Sequence, residues 1–352
     1  MKLLDILGIA AVILTLCFVG YIFTADTLFA PEEEEYTVGL VMELESGFDS
    51  FTLQIAEGVY LLSKEEGVVT VPCIEDAVSK VWGSAEELIH QHEADIIVTG
   101  GYTVIDSMTS SALANPAQKY LMVDTDYSAG EQPDNVGNII FRSNEPSYVA
   151  GYVAGMVTES KIIGFVGGVQ TYIVEDFAVG FAAGVERAEK ERGADIEVLF
   201  DYTGSFLDAG LGYSSALSMY DAGADIVYQV AGTCGTGVIE AADDCGKYVI
   251  GVDVDQSYLA PDAVIFSVVK HIPQAVRDTV LRYKAGEDFS GETVILGYAD
   301  GDYVGVAGYM KDVVPESVIK KAKAVEQEIA EGKIAVPSAV KYGINGFSKE
   351  RL

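Results

Sequence analysis

Two aspartates set two apart, in Gly251-Val252-Asp253-Val254-Asp255-Gln256, are the first residues whose type and spacing could do chemistry. They close a β-rich run, and side chains alternate along a strand, so the two carboxylates point to opposite sides. One can face a cleft while the other caps the next segment. They do not make an acid–base pair. GTCGTG at 232–237 superficially resembles a phosphate loop but lacks the Lys-Ser/Thr that completes one. What is left is a glycine-rich turn before a helix, able to present backbone N–H groups to a cleft. No GxSxG elbow exists, and His271, beside Lys270, has no paired nucleophile. His90 and His92 are two apart on a helix and face different ways, which argues against a shared metal. Cys234 and Cys245 flank a helical stretch; at the helical rise they stand roughly 14 Å apart, against about 7 Å for a disulfide. Both are expected as free, buried thiols. These residues support no catalysis, metal site or cofactor.

Phe51 and Phe206 offer another chemistry. Each follows a strand and a turn near the start of a helix. Each taken alone fits core packing; together they could be two aromatic walls holding a flat ligand, since stacking contributes about 1–3 kcal/mol per base.

Positioning such groups requires a scaffold, and the chain alternates two periods throughout. Tyr36–Met42, Val68–Val71, Asp95–Thr99, Tyr120–Val123 and Val136–Phe141 read as strands, with Phe51–Glu65 and Ser84–His92 as helices. The alternation restarts with strands Lys161–Val166, Ile196–Phe200, Asp225–Val230 and Tyr248–Val252, and helices Glu175–Glu191, Leu207–Ala222 and Gly237–Asp244. Apolar strands alternating with helices form parallel sheets covered on both faces. Two series predict an α/β chain of two similar lobes, broken near Arg142–Glu145. Glycines mark the strand ends at Gly100-Gly101, Gly167-Gly168, Gly232 and Gly251. In open α/β sheets ligands bind beyond those ends, so a cleft shared by two lobes is expected.

The 352 residues carry 22 Lys+Arg against 54 Asp+Glu, a formal net charge of −32. That balance argues against nucleic acid and anionic lipid as partners and fits a solvated acidic surface. Ile6–Phe23 contains no charged residue and is followed by the acidic linker Pro31–Glu35. Eighteen such residues are at the lower edge of a membrane span and also suit a long signal-peptide core. An uncleaved anchor, with the folded part outside the cytoplasm, is the preferred reading. Leu16 and Thr15 before Cys17 give little support to lipidation there.

Several segments, in order, resemble the basic membrane protein family of PnrA-like nucleoside-binding lipoproteins: FRSNEPSYVAGYVAG at 141–155, KIIGFVGG at 161–168, FAVGFAAGVE at 177–186, YTGSFLDAG at 202–210, GADIVYQVAGTCGTGV at 223–238, IGVDVDQ at 250–256 and SVVKHI at 267–272. The resemblance spans about Tyr36 to Pro337. It implies a two-lobed type 1 periplasmic-binding fold with a parallel sheet and helices on both faces in each lobe. The ligand cleft lies between lobes joined by three crossings. The expected division is an anchor and linker over 1–35, a first lobe of 36–142 plus 259–290, and a second of 143–258 plus 291–345.

The resemblance also implies a nucleoside ligand, captured for an ABC-type permease and its ATPase subunits. Phe51 and Phe206 match the stacking aromatics, Asp253 the carboxylate accepting from ribose hydroxyls, and Lys270 its donating partner. Gly232 matches backbone near the ligand, and Asp124 an acid at a first-lobe strand end. The family usually reads Asp-(Asp)-Lys-Ser-Phe-Asn at the first helix; here Asp49 stands for the Lys and Thr52 for the Asn. An amide that could bond a base edge is gone, which leaves open which base is bound. The alternatives to a nucleoside transport component are a sensor of the same fold or a binder of another small neutral solute, with an enzyme such as a nucleoside hydrolase as the outsider.

Overall fold

The computed structural model describes residues 35–43, 49–125, 127 and 132–339. The expected anchor Ile6–Phe23, Cys17 and the linker Pro31–Glu34 lie outside them, as do Gly47 and Phe48. Among the described residues no helix is long and apolar enough to cross a membrane.

The first sheet starts with β1 (Tyr36–Glu43), followed by α1 (Ser50–Leu62), β2 (Val68–Glu75), α2 (Val81–His90), β3 (Ile96–Gly100), α3 (Ile105–Ala114), β4 (Lys119–Val123) and β5 (Val136–Phe141). The chain then crosses to α4 (Asn144–Val157), β6 (Ile162–Gly167), α5 (Tyr172–Arg192), β7 (Glu197–Tyr202), α6 (Ala209–Asp221), β8 (Ile226–Val230), α7 (Cys234–Cys245), β9 (Tyr248–Asp253) and β10 (Val264–Lys270). It returns for α8 (Ile272–Lys284) and β11 (Thr293–Leu296), and crosses last to β12 (Val304–Ala307) and α9 (Glu316–Ala330).

The sheets are six-stranded, in the orders β11-β5-β4-β3-β1-β2 and β12-β10-β9-β8-β6-β7. All pairings are parallel except β10 with β12. Pro72 sits within β2, which its missing N–H tolerates because β2 is an edge strand. This order moves two boundaries. The segment 259–290 does not belong whole to the first lobe: β10 pairs with β9 in the second sheet, and only α8, packed on α1, covers the first. Conversely β11, placed by sequence in the second lobe, pairs with β5 in the first. The apolar run of β10 continues the second series by hydrogen-bonding register, which hydrophobic pattern alone does not encode.

Each sheet is covered on two faces by separate apolar clusters, with Leu40, Ile55, Val98 and Val276 in one first-lobe layer and Val41, Leu88, Met108 and Met122 in the other. Phe165, Phe177, Phe181 and Tyr228 fill the largest second-lobe layer. Burying each such side chain contributes about 1.5–3 kcal/mol. Helices α4 and α5 touch backbone to backbone. A β-carbon at Gly151 would fall 2.0 Å from the Phe181 carbonyl oxygen, and one at Gly184 would fall 2.0 Å from that of Tyr148.

Cys234 and Cys245 are the end residues of α7, and both are free. Cys234 is buried but Cys245 only half-buried, because the helix's last turn reaches the surface. The helix begins three residues before the expected Gly237, so Cys234-Gly235-Thr236 is its first turn and not a loop.

Candidate functional site

The C-terminal ends of β1, β3 and β4 face those of β6, β8 and β9 across one cavity of about 310 Å³, within the range of small-molecule sites. Phe51, Thr52, Asp124, Phe206, Gly232, Asp253 and Lys270 all line it. His271 and Arg142 do not: His271 Nδ1 bonds the Asp302 carbonyl oxygen at 2.7 Å, and Arg142 is exposed. Asp255 is also exposed and accepts from Ser257 N at 3.0 Å, capping the turn after β9 as the alternation predicts.

Lys270, the last residue of β10, is 3% exposed. Its ammonium donates to Asp124 Oδ2 across the cleft and stands 3.9 Å from Asp253 Oδ1. Three rings surround it: Phe177 at 4.6 Å from the centroid, Phe51 and Phe141 each at 5.7 Å. Such contacts contribute about 0.5–2 kcal/mol each and replace part of the water a buried ammonium loses. Asp124 Oδ1 also accepts from Phe141 N at 3.4 Å. The Asp253 carboxylate accepts no hydrogen bond among the described residues. Burial pushes its carboxyl up to about 6; Lys270 pulls it down, and the charges of Asp49 and Asp124 push it further up.

Phe51 stands in the first turn of α1, whose N-cap is Asp49. Asp49 Oδ1 accepts from Thr52 N at 2.7 Å and from Thr52 Oγ1 at 2.9 Å; a cap of this kind contributes about 1 kcal/mol. Phe206 lies in the loop between β7 and α6. A β-carbon at Gly168 would fall 2.4 Å from its ring, so the glycine just after β6 is what admits the aromatic. Gly232 follows β8 with φ 57°, a left-handed conformation in which glycine carries no side-chain penalty.

The lobes also meet where Gln54 Nε2 donates to the Asp253 carbonyl oxygen at 3.2 Å. Tyr102, 55% exposed, stands edge-on to Phe206 with ring centroids 5.8 Å apart. Sequence reasoning missed Tyr102, Phe177, Thr103 and Asp49 as lining residues. Gly100-Gly101 at a strand end was a signal for Tyr102, since Gly101 turns at φ 104° to bring it to the cleft. Phe177 opens the segment FAVGFAAGVE, but nothing in its local pattern marked the ring as lining a cleft.

The fold and cleft have known counterparts. A family model described as "ABC transporter substrate-binding protein PnrA-like" matches residues 38–339. Basic membrane protein A1 of Borrelia garinii subsp. bavariensis is 33% identical over 311 residues, covering 87% of this chain and 89% of that protein. A CD4+ T-cell-stimulating antigen of Listeria monocytogenes is 31% identical, covering 86% and 88%. Among solved structures, an ABC transporter solute-binding protein from Aeropyrum pernix K1 superposes with a TM-score of 0.72 at 22% identity, covering 87% of this chain and 98% of that one; at this identity the likeness concerns the fold. The matched length and the relatives together place this chain in the PnrA-like family of ABC transporter substrate-binding proteins.

Proposed function

We propose that the protein captures a nucleoside, of the purine class, between its lobes and delivers it to an ABC-type permease and ATPase from the extracytoplasmic side, held there by its N-terminal apolar segment. The observation that carries the reading is the convergence of Phe51 and Phe206 on the same cavity as the Asp124–Lys270–Asp253 cluster. The rings suit a flat base. Asp253, short of donors, suits two adjacent hydroxyls, and charge-assisted bonds of that kind contribute about 1.5–3 kcal/mol each. Among the described residues the cavity offers no acid–base pair beside a nucleophile, which favours capture without conversion.

Three carboxylates, Asp49, Asp124 and Asp253, face a single ammonium. A phosphate needs several basic donors and would meet repulsion here. Calorimetry on the full chain with adenosine, guanosine, inosine and their monophosphates tests the reading: the nucleosides should bind and the monophosphates should not. Tighter binding of the monophosphates, or no nucleoside binding at all, would reject it.

A further inference from the structure

Three described side chains of the first-lobe wall, Asp49, Thr52 and Thr103, present acceptors. Asp49 Oδ1 is engaged by Thr52 N and Thr52 Oγ1. Its other oxygen, Oδ2, lies 3.3 Å from where a β-carbon at Gly232 would sit, so it stands against the second lobe's glycine turn, where both residues line the cavity. The Thr52 bonds thus fall on one carboxylate oxygen, and the other is the one nearer the second lobe. Thr52 has a single hydroxyl proton, donated to Asp49, so only lone pairs remain for the cavity. Thr103, on the same rim, is in the same state: its hydroxyl donates to Glu43 Oε1 at 2.6 Å. Asp49, Thr52 and Thr103 all line the cavity, and each turns acceptor capacity toward it.

We infer that this wall selects a nucleoside whose base edge carries adjacent N–H donors, the pattern of guanine, with Asp49 as the specificity-determining acceptor. The inference rests on the nucleoside reading above. Guanine presents a ring N–H beside an exocyclic amine, and both can donate to Asp49 Oδ2 and the Thr52 lone pairs. Adenine presents an amine beside a ring nitrogen that is itself an acceptor, and that lone pair would face the lone pairs of the wall. Hypoxanthine has the ring N–H but no amine. Asp49, Thr52 and Thr103 offer a base no side-chain donor, so a base's acceptors turned toward them go unpaired, and such unpaired groups are what give polar sites their discrimination. Burial raises the Asp49 carboxyl from its ordinary value, against the Thr52 and Phe51 N–H groups that lower it. A ligand N–H at Oδ2 would relieve that desolvation.

The test is calorimetry on the full chain with guanosine, inosine and adenosine, for wild type, Asp49→Asn and Thr52→Val. Asparagine caps a helix as well as aspartate does, so Asp49→Asn keeps α1 started while placing a donor amide in the wall. Wild type should bind guanosine at least tenfold tighter than adenosine, with inosine between. Asp49→Asn should bring guanosine and adenosine within about threefold of each other, chiefly by weakening guanosine. Thr52→Val should narrow the ratio in the same direction and serves as the readout if Asp49→Asn does not fold. Adenosine binding as tightly as guanosine to wild type, or an unchanged ratio in the folded variants, overturns the inference and leaves nucleoside capture standing. Binding of none of the three overturns both.

Discussion

Asp124 and Asp253 stand at matching places in the two lobes and end in different electrostatic states. Asp124 directly follows β4 and Asp253 ends β9, each strand third from one edge of its sheet, and each aspartate has a left-handed backbone, φ 51° and 65°. That conformation costs a non-glycine residue about 1–3 kcal/mol and turns the side chain toward the partner lobe. Asp124 has a donor on each oxygen, Lys270 on one and Phe141 N on the other. Asp253 has only the more distant pull of the same ammonium, and its carboxyl is pushed up to about 6. One turn design thus gives a structural carboxylate in the first lobe and an unsatisfied one in the second. The difference arises because Lys270 belongs to the second sheet by chain and to the first by its ion pair.

The largest effect should come from removing the shared cation. Lys270→Met leaves two buried carboxylates without a counter-charge, and breaking a buried pair from one side costs about 3–5 kcal/mol. Urea unfolding at pH 7.5 measures it. A loss below about 1 kcal/mol would mean that the rings and solvent, and not Asp124, hold the ammonium.

The next effect separates the aspartates by sign. The folded-state carboxyl of Asp253, about 6, lies above its ordinary 3.8, so the folded protein holds a proton that the unfolded chain has released. Stability from this group is present below the ordinary value and is lost as pH rises through about 6. Asp253→Asn should therefore raise the stability of the ligand-free protein at pH 7.5 by about 1–3 kcal/mol and flatten its fall between pH 4 and 7. It should also weaken nucleoside binding at least tenfold. Asp124→Asn should instead lose about 1–3 kcal/mol, through its bond to Lys270. Equal losses of stability in both variants would erase the distinction.

Much of this cleft was legible in the chain. Glycine-marked strand ends and two strand–helix series were enough to expect one cleft between two lobes, with Phe51, Phe206 and Asp253 as candidates for it, because open α/β sheets leave their ligand sites at those ends; Asp124, Gly232 and Lys270 were placed there by the family resemblance and not by the pattern. Lobe boundaries were legible only in part. An apolar run such as Val264–Lys270 pairs equally well in either sheet, and its place is set by backbone register with β9. Phe177 was illegible for another reason: its contact with Lys270 joins residues 93 apart in sequence, and such a distance leaves no local pattern. The proton economy of Thr52 was hidden too, since the sequence shows a hydroxyl but not the partner that takes its proton.

The smallest expected effect contrasts the two rings that the lobes contribute. Phe51 packs against the first-lobe core and stands near the Lys270 ammonium. Phe206 packs against the second-lobe core and rests on Gly168, with Tyr102 at its edge and no cation beside it among the described residues. Replacement by leucine keeps apolar volume and removes the flat face. A hydrophobic swap of similar volume costs less than about 1.5 kcal/mol of stability, while losing a stacked face costs about 1–3 kcal/mol of binding, or roughly fivefold to a hundredfold in affinity. Both rings touch their lobe's core, but only Phe51 also faces the Lys270 ammonium, so Phe51→Leu should lose more stability along with affinity. Phe206→Leu should lose affinity with the smaller change in melting temperature. A ligand shifts an open–closed equilibrium only by binding the two states differently, and a base stacked on both rings gains its second face only on closure. Phe206→Leu should therefore also reduce nucleoside-induced compaction in small-angle scattering. Lost melting temperature with unchanged guanosine affinity in both variants would make the rings core residues and end the comparison.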